Sequence, residues 1–303
     1  MMMTKIASNP MILPIIIGFT AGVVCRLLML RTDYRQYPTY PHGRIIHIAL
    51  GVIASLLGTV FVPSLLKQEY TAITFITLAA QQFRDVRNME RNTLTEIDKH
   101  ELVPRGGTYI EGIAMVFEGR NYLVILTSLV SAFATVFFSW WGGIIAAILI
   151  ILLALKLKTG NNLHHIAQIV PANVVVSGKD LLVEDIYIMN VGSTDAQQQM
   201  ADHGMGFILI PKNDNASVTL AHPGQRQAIL HDAATILGVY TDDGEPSLTP
   251  LIKRDLKTGR LGVFLLPMSK DVDMALKVLS SVPILESAIR MPQKAQAKKQ
   301  DGG

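Results

Sequence analysis

Two glutamates stand seven residues apart in the stretch Gly106 to Asn121, which reads GGTYIEGIAMVFEGRN. On a helix, positions seven apart share a face, so Glu111 and Glu118 point the same way with Met115 between them. Ionisable groups among apolar residues at membrane depth are costly and mark functional positions. The chemistry they suggest is acid–base work, with one carboxyl kept protonated by burial and another ionised. Seven residues of helix separate these two by about 10 Å along the axis. Acids that share a proton lie about 3 Å apart. Glu111 and Glu118 therefore do not form a dyad with each other, and a partner must come from Asp33, Asp85 or Asp98. These five residues are the candidate catalytic set. A plainer reading stays open beside it: both glutamates remain at a membrane interface and pair with Arg105 and Arg120.

Other chemistries fit less well. The sequence has no His-Glu-x-x-His, and the adjacent His164 and His165 point to different sides of a helix, so no metal site is expected. No Gly-x-Ser-x-Gly is present for an elbow serine. His47 with Ser128 or Ser131 admits a Ser–His pair between spans, although a lone His near a span start also suits the interface. Thr241-Asp242-Asp243-Gly244 is the string nearest to an aspartyl-protease motif, and it reads as an Asx turn. His222-Pro223-Gly224 opens a helix, either as a plain proline-led entry or as an anion site with Arg226. No phosphate loop or dinucleotide fingerprint occurs, so no cofactor is expected.

The elements that must position these residues are mostly apolar. Tyr122 to Phe138 and Gly142 to Leu155 contain no charge and are separated only by a short Ser-Trp-Trp turn. With their flanks, each approaches the roughly 20 residues that cross a bilayer. They read as a helical hairpin, with Trp140 and Trp141 in the interfacial belt. Two earlier runs complete four spans at about 11–30, 45–66, 122–138 and 142–155. The first run reads as a retained anchor rather than a cleaved leader. Basic residues between Lys67 and Arg120, with Lys156 and Lys158, outweigh Arg31, Arg35 and Arg44. That bias places the C-terminal region in the cytoplasm. Tyr70 to Phe83 continues into a charged stretch, Arg84 to His100, and the two together read as one helix on or dipping into the membrane. A fifth span there would exchange the sides. The loop Asp33 to Arg44 is rich in Tyr and Pro and reads as an aromatic belt or a partner contact.

Charged residues make up only 17% of the 303-residue chain, against about 25% in soluble proteins. The deficit lies in the first half. A net charge of +3 gives no electrostatic case for nucleic acid. The single cysteine, Cys25, permits no internal disulfide. After Gly160 the pattern changes. Strands are expected at Val174 to Val176, Ile186 to Val191, Gly206 to Ile210, Ser217 to Leu220 and Gly262 to Leu266. Helices are expected at Ala196 to His203, Gln225 to Val239 and Asp271 to Ser280, with turns at Asp214-Asn215, Asp242-Asp243-Gly244 and Thr258-Gly259. The fold class is a polytopic α-helical membrane domain, 1–158, followed by a small soluble α/β (α+β) domain, 159–288. A loop at 67–121 carries the glutamates, and the polar tail 289–303 is expected to be disordered.

Tyr109 to Ala114 spell YIEGIA, and with that string the chain resembles the YIEGIA family of endospore-forming Firmicutes. The likeness runs close to full length and takes in Asp33-Tyr34-Arg35-Gln36-Tyr37-Pro38. It implies a polytopic membrane protein of sporulation, and membrane-embedded proteolysis held in check by partner proteins. The sequence lacks the Gly-x-Gly-Asp of intramembrane aspartyl proteases. Three functions follow as alternatives. One is a carboxylate-based membrane protease whose soluble domain recognises substrate or regulator. Another is a non-catalytic membrane scaffold or sensor that binds cytosolic partners. The third, a small transporter or channel subunit, would require self-association, so a second copy of the chain joins the bilayer, a protein substrate and regulatory proteins as expected partners.

Overall fold

The computed structural model describes residues 10–34, 41–157, 161–242, 245–246 and 248–289. Residues 35–40 of the Tyr/Pro loop, Lys158, Asp243-Gly244 and the polar tail from residue 290 lie outside the described residues. Two compact units form: Met1–Asn92 with Ile113–Thr159, and Thr93–Gly112 with Gly160–Gly303.

The first unit is helical. Helices α1 (Ile12–Asp33), α2 (Pro41–Leu66), α3 (Tyr70–Asp98) and α4 (Gly107–Leu157) contribute to it. Three segments are long and apolar enough to cross a bilayer: Ile12–Leu30, Gly43–Leu66 and Gly107–Lys156. The last is folded back on itself. At Ser139 the backbone leaves helical geometry, with φ 72° and ψ 175°. Beyond it, the Ser131 hydroxyl donates to the Gly143 carbonyl at 3.0 Å. In a straight helix twelve residues would span about 18 Å, so the chain reverses. The expected hairpin forms with a turn tighter than the sequence suggested, and the Trp140 and Trp141 rings stack on it 3.7 Å apart. Its first arm begins at Gly107 rather than Tyr122, because nothing between the two breaks a helix. The glutamate-bearing stretch is thus the opening of that arm, not a loop.

Small residues let these helices approach. A Cβ on Gly18 would lie 2.6 Å from the Ser128 carbonyl and 2.9 Å from the Ala132 Cβ. The Ser55 hydroxyl of α2 donates to the Phe19 carbonyl of α1 at 2.7 Å. Close backbone approach and interhelical hydrogen bonds are what hold apolar helices together where no hydrophobic drive exists between them. Cys25, Met29, Ala54, Phe83, Val124 and Ala154 form the core. Leu149, Leu152, Leu153 and Phe138 face outward. Tyr70 to Asp98 is a single helix, as the joined apolar and charged stretches predicted, and its first half exposes Tyr70, Phe75 and Leu78.

The second unit is mixed α/β. After the short α5 (Leu163–Ile166) come β1 (Ala167–Ala172), β2 (Val174–Ser177), β3 (Asp180–Val183), β4 (Ile186–Asn190), α6 (Thr194–His203) and β5 (Met205–Pro211). Then follow α7 (Asp214–Ala221), α8 (Pro223–Leu237), β6 (Thr241–Asp242), β7 (Glu245–Pro246), β8 (Leu251–Arg254), β9 (Leu261–Leu265) and α9 (Val272–Ser281), with a 3₁₀ turn at Glu286–Ala288. A four-stranded antiparallel sheet in the order β1-β5-β9-β8 packs with a three-stranded meander β2-β3-β4 around Leu181, Val183, Ile188, Ile208 and Phe264. The expected strands at 174, 186, 206 and 262 are all present. The three predicted helices form as α6, α8 and α9.

One expected strand is wrong. Ser217 to Leu220 lies within α7, where Asn213 caps the helix by accepting from the Ala216 amide at 2.9 Å. Asp214-Asn215 is the first turn of that helix, not a loop. The β-branched Val218 and Thr219 suggested extension, but Ala216 and Leu220, four apart, are both buried. That is the helical period. The edge strands β1 and β8, the central β3 of the meander and the two-residue β6 and β7 were missed, because their runs are short or lack a clean alternation of apolar and polar residues.

Ser139 occupies a conformation that essentially only glycine adopts without strain, at a cost of order 1–3 kcal/mol. Ser139→Gly is expected to stabilise the first unit by about 1 kcal/mol. The check is a higher midpoint of thermal unfolding in detergent than the parent chain shows.

Candidate functional site

Within the first unit, an apolar bundle encloses a layer of charged and polar side chains. It starts from Arg26, near the C-terminal end of α1 and only 1% exposed. Its Nη1 donates to the Asp33 carboxylate at 3.0 Å, seven residues along the same helix. Arg120 Nε donates to the other Asp33 oxygen at 3.3 Å. Arg26 Nε also donates to the His47 carbonyl of α2 at 3.4 Å, and its guanidinium lies over the Phe117 ring at 5.3 Å. The His47 ring packs on Phe117, and its Nε2 is 3.7 Å from the Glu90 carboxylate of α3. A Cβ on Gly51 would run into the Arg26 stem, so glycine there makes room for the guanidinium. Four helices thus converge on one buried ionic layer. Isolated charges would be prohibitively costly there, and pairing is what makes the burial tolerable.

Glu90 is buried, and burial raises its carboxyl above the ordinary carboxylate range. Asn121 is completely buried, and among the described residues neither its side-chain oxygen nor its nitrogen has a hydrogen-bond partner; the same holds for Arg26 Nη2.

The YIEGIA string belongs to the second unit through its first four residues. Gly106, with φ 78°, turns the chain into α4. Both the Arg105 and Gly106 amides donate to the Asp98 carboxylate, at 2.6 and 2.9 Å. Tyr109 and Ile110 are buried. The Tyr109 amide lies against Gly224 of α8, where a Cβ would be 3.2 Å away, and a Cβ on Gly112 would be 3.0 Å from that of Ser287. His231 Nδ1 is 2.6 Å from the Val103 carbonyl, and the Gln227 amide donates to that of Pro104. The motif is therefore a packing signature: large side chains fill the contact with α8, and the glycine allows close approach to the 3₁₀ turn. Asp232, half-buried beside Arg105 and Tyr109, is pushed up by burial, partly offset by His231 and Arg105.

The five candidate carboxylates do not converge. Asp33 accepts from Arg26 and Arg120 in the first unit, and Glu118 accepts from Arg87 at 3.0 Å in the same unit. Asp98 serves the turn before α4 in the second. Glu111 is half-buried, and Asp85 is exposed on α3. The pairing of Glu118 with an arginine matches the interfacial reading in kind, but the partner is Arg87 rather than Arg120. His47 does not engage the serines through their hydroxyls: Ser128 donates to the Val124 carbonyl and Ser131 to that of Gly143. His164 Nδ1 instead meets the Ser280 carbonyl at 2.9 Å, and no group of metal ligands forms among the described residues. Glu90, Arg26, Asn121 and Asp232 were missed. Arg26 carried a usable signal, a charge inside an apolar run. Glu90 looked like one acid of many on a polar helix.

Because the native second unit holds the Asp232 proton more tightly than an unfolded chain would, this group favours folding most at acid pH. That contribution is lost as pH rises from the unfolded pKa through the raised native one. Asp232→Asn is expected to raise the thermal midpoint at neutral pH and to leave it unchanged below the ordinary carboxylate pKa. A pH series of melting curves for both chains checks this.

Comparison with known proteins covers almost the whole chain. The family model described as YIEGIA protein matches residues 14–295. The "Uncharacterized protein YphB" of Bacillus subtilis (strain 168) is 57% identical over 281 residues, covering 93% of this chain and 95% of that one. No solved structure matches. With a match that runs along nearly all of both chains, this chain belongs to the YIEGIA family.

Proposed function

We propose that this chain is a multi-pass membrane protease of sporulation. It would cleave a protein target with carboxyl groups held inside its helical bundle, and partner proteins would restrain it. The observation that carries the reading is the buried layer of Asp33, Arg26, His47 and Glu90, an ionisable set gathered where α3 meets three helices apolar enough for a bilayer. Arg26 and His47 fall within candidate spans, where ionisable groups mark functional positions by default. Two acids in contrasting environments are what peptide hydrolysis by water requires. In this reading the Asp33 carboxylate takes a proton from water as its oxygen bonds to the peptide carbonyl carbon. Glu90 then gives its proton to the amide nitrogen as the C–N bond breaks. A new carboxyl and a new amine leave, and solvent returns a proton from Asp33 to Glu90. Arg26 and Arg120 fix the Asp33 carboxylate. The excess of basic residues between Lys67 and Arg120 supports a cytoplasmic second unit, which would receive substrate or regulator.

The scaffold reading has its own support. Asp33, Glu118 and Asp98 are each engaged by guanidinium or backbone amides, as purely structural acids would be. Substitution separates the two. Asp33→Asn and Glu90→Gln are expected to lower cleavage by about 10²–10⁴-fold while the protein still accumulates in membranes. The measurement is comparative proteomics for a truncated fragment that requires the intact acids, with Glu111→Gln and Glu118→Gln in the same series. If every variant accumulates normally and produces the same fragments as the parent, the scaffold reading replaces the protease.

A further inference from the structure

We infer that the helical bundle holds an internal water molecule, bound by the Asn121 amide and the free Nη2 of Arg26. Three buried polar atoms carry the argument. Asn121 is 0% exposed and Arg26 1% exposed, and Asn121 Oδ1, Asn121 Nδ2 and Arg26 Nη2 have no protein partner among the described residues. An unmet buried donor or acceptor forfeits the hydrogen bond it had in water. A water that makes two to four hydrogen bonds is the usual remedy. These atoms belong to one layer. Phe117, Asn121, Val124 and Ser128 are all buried and follow the helical period along one face of α4. Phe117, one turn before Asn121, touches Arg26 and His47. Val124, just beyond it, packs with Cys25 and Met29, the α1 residues on either side of Arg26. Asn121 therefore faces α1 at the level of Arg26.

Water offers what the three atoms lack: an oxygen acceptor for Arg26 Nη2 and Asn121 Nδ2, and a proton for Asn121 Oδ1. The same molecule would stand beside the guanidinium that fixes Asp33, where a hydrolytic water is needed. That role rests on the protease reading, but the binding site itself does not.

The test is X-ray hydroxyl-radical footprinting of the full chain in lipid nanodiscs, because radicals formed from a bound water oxidise the side chains that touch it. Met29 is 0% exposed, while Met200 and Met205, at 6% and 4%, serve as internal references in the other unit. With a water in this layer, Met29 is oxidised several-fold faster than either reference despite being better buried. In Asn121→Leu, whose apolar side chain keeps the branching but fills the water's space and offers no hydrogen bond, the Met29 rate falls to or below theirs. Oxidation of Met29 in the parent chain no faster than that of Met200 and Met205 overturns the site, and this comparison needs no variant to fold. Fast oxidation that persists in Asn121→Leu removes Asn121 from it. Loss of fragment production in the Asp33 and Glu90 variants without Met29 labelling would leave the protease reading standing and this inference refuted; labelling without such loss would do the reverse.

Discussion

A charge enclosed by apolar helices has to find its partners inside the bundle, and that constraint shapes the first unit. Arg26 sits in a run that otherwise reads as a plain span. Burying its guanidinium unpaired would cost several kcal/mol at least. The structure meets the cost with contacts from each neighbour: Asp33 from its own helix, the His47 carbonyl from α2 and the Phe117 ring from α4. Removing any one leaves a buried ion partly uncompensated, so the layer fixes how the helices register as well as what chemistry they could host.

Small residues make that layer reachable. Gly51 leaves room for the arginine stem, and Gly18 and Ser55 let α1, α2 and α4 approach until side-chain hydroxyls meet backbone carbonyls. The tight reversal at Ser139 serves the same end. It returns the second hairpin arm so closely that Ser131 bonds across the turn. The second unit uses a different economy. There an extensive apolar core between two sheets supplies cohesion, and polar contacts cap helices and hold Val103 and Pro104, ahead of the YIEGIA string, against α8.

The motif shows how a conspicuous string can be misjudged from sequence. Its glutamate drew attention because carboxylates do chemistry, yet its tyrosine, isoleucine and glycine have the clearest structural tasks. Glu118 is tied to Arg87, and the acid whose environment most favours a neutral carboxyl in the helical unit is Glu90 on α3. From sequence, Glu90 was one of several acids on a polar helix. Its burial beside His47 follows from the face of α3 that turns inward, which it shares with the buried Phe83 and Leu94.

The sequence by itself determined the apolar helices, the hairpin, the change to a mixed α/β unit near residue 160, four of the nine strands described there and all three of its predicted longer helices. These follow from hydrophobic period and run length, which act over neighbouring residues. It also determined the family, because a long shared pattern is written in residue identities. Tertiary structure alone decided that Ser217 to Leu220 buries one face as a helix and that Arg26, Asp33, His47, Glu90 and Arg120 meet. Those outcomes depend on contacts between residues up to 87 positions apart, and their energies exist only once the helices have packed.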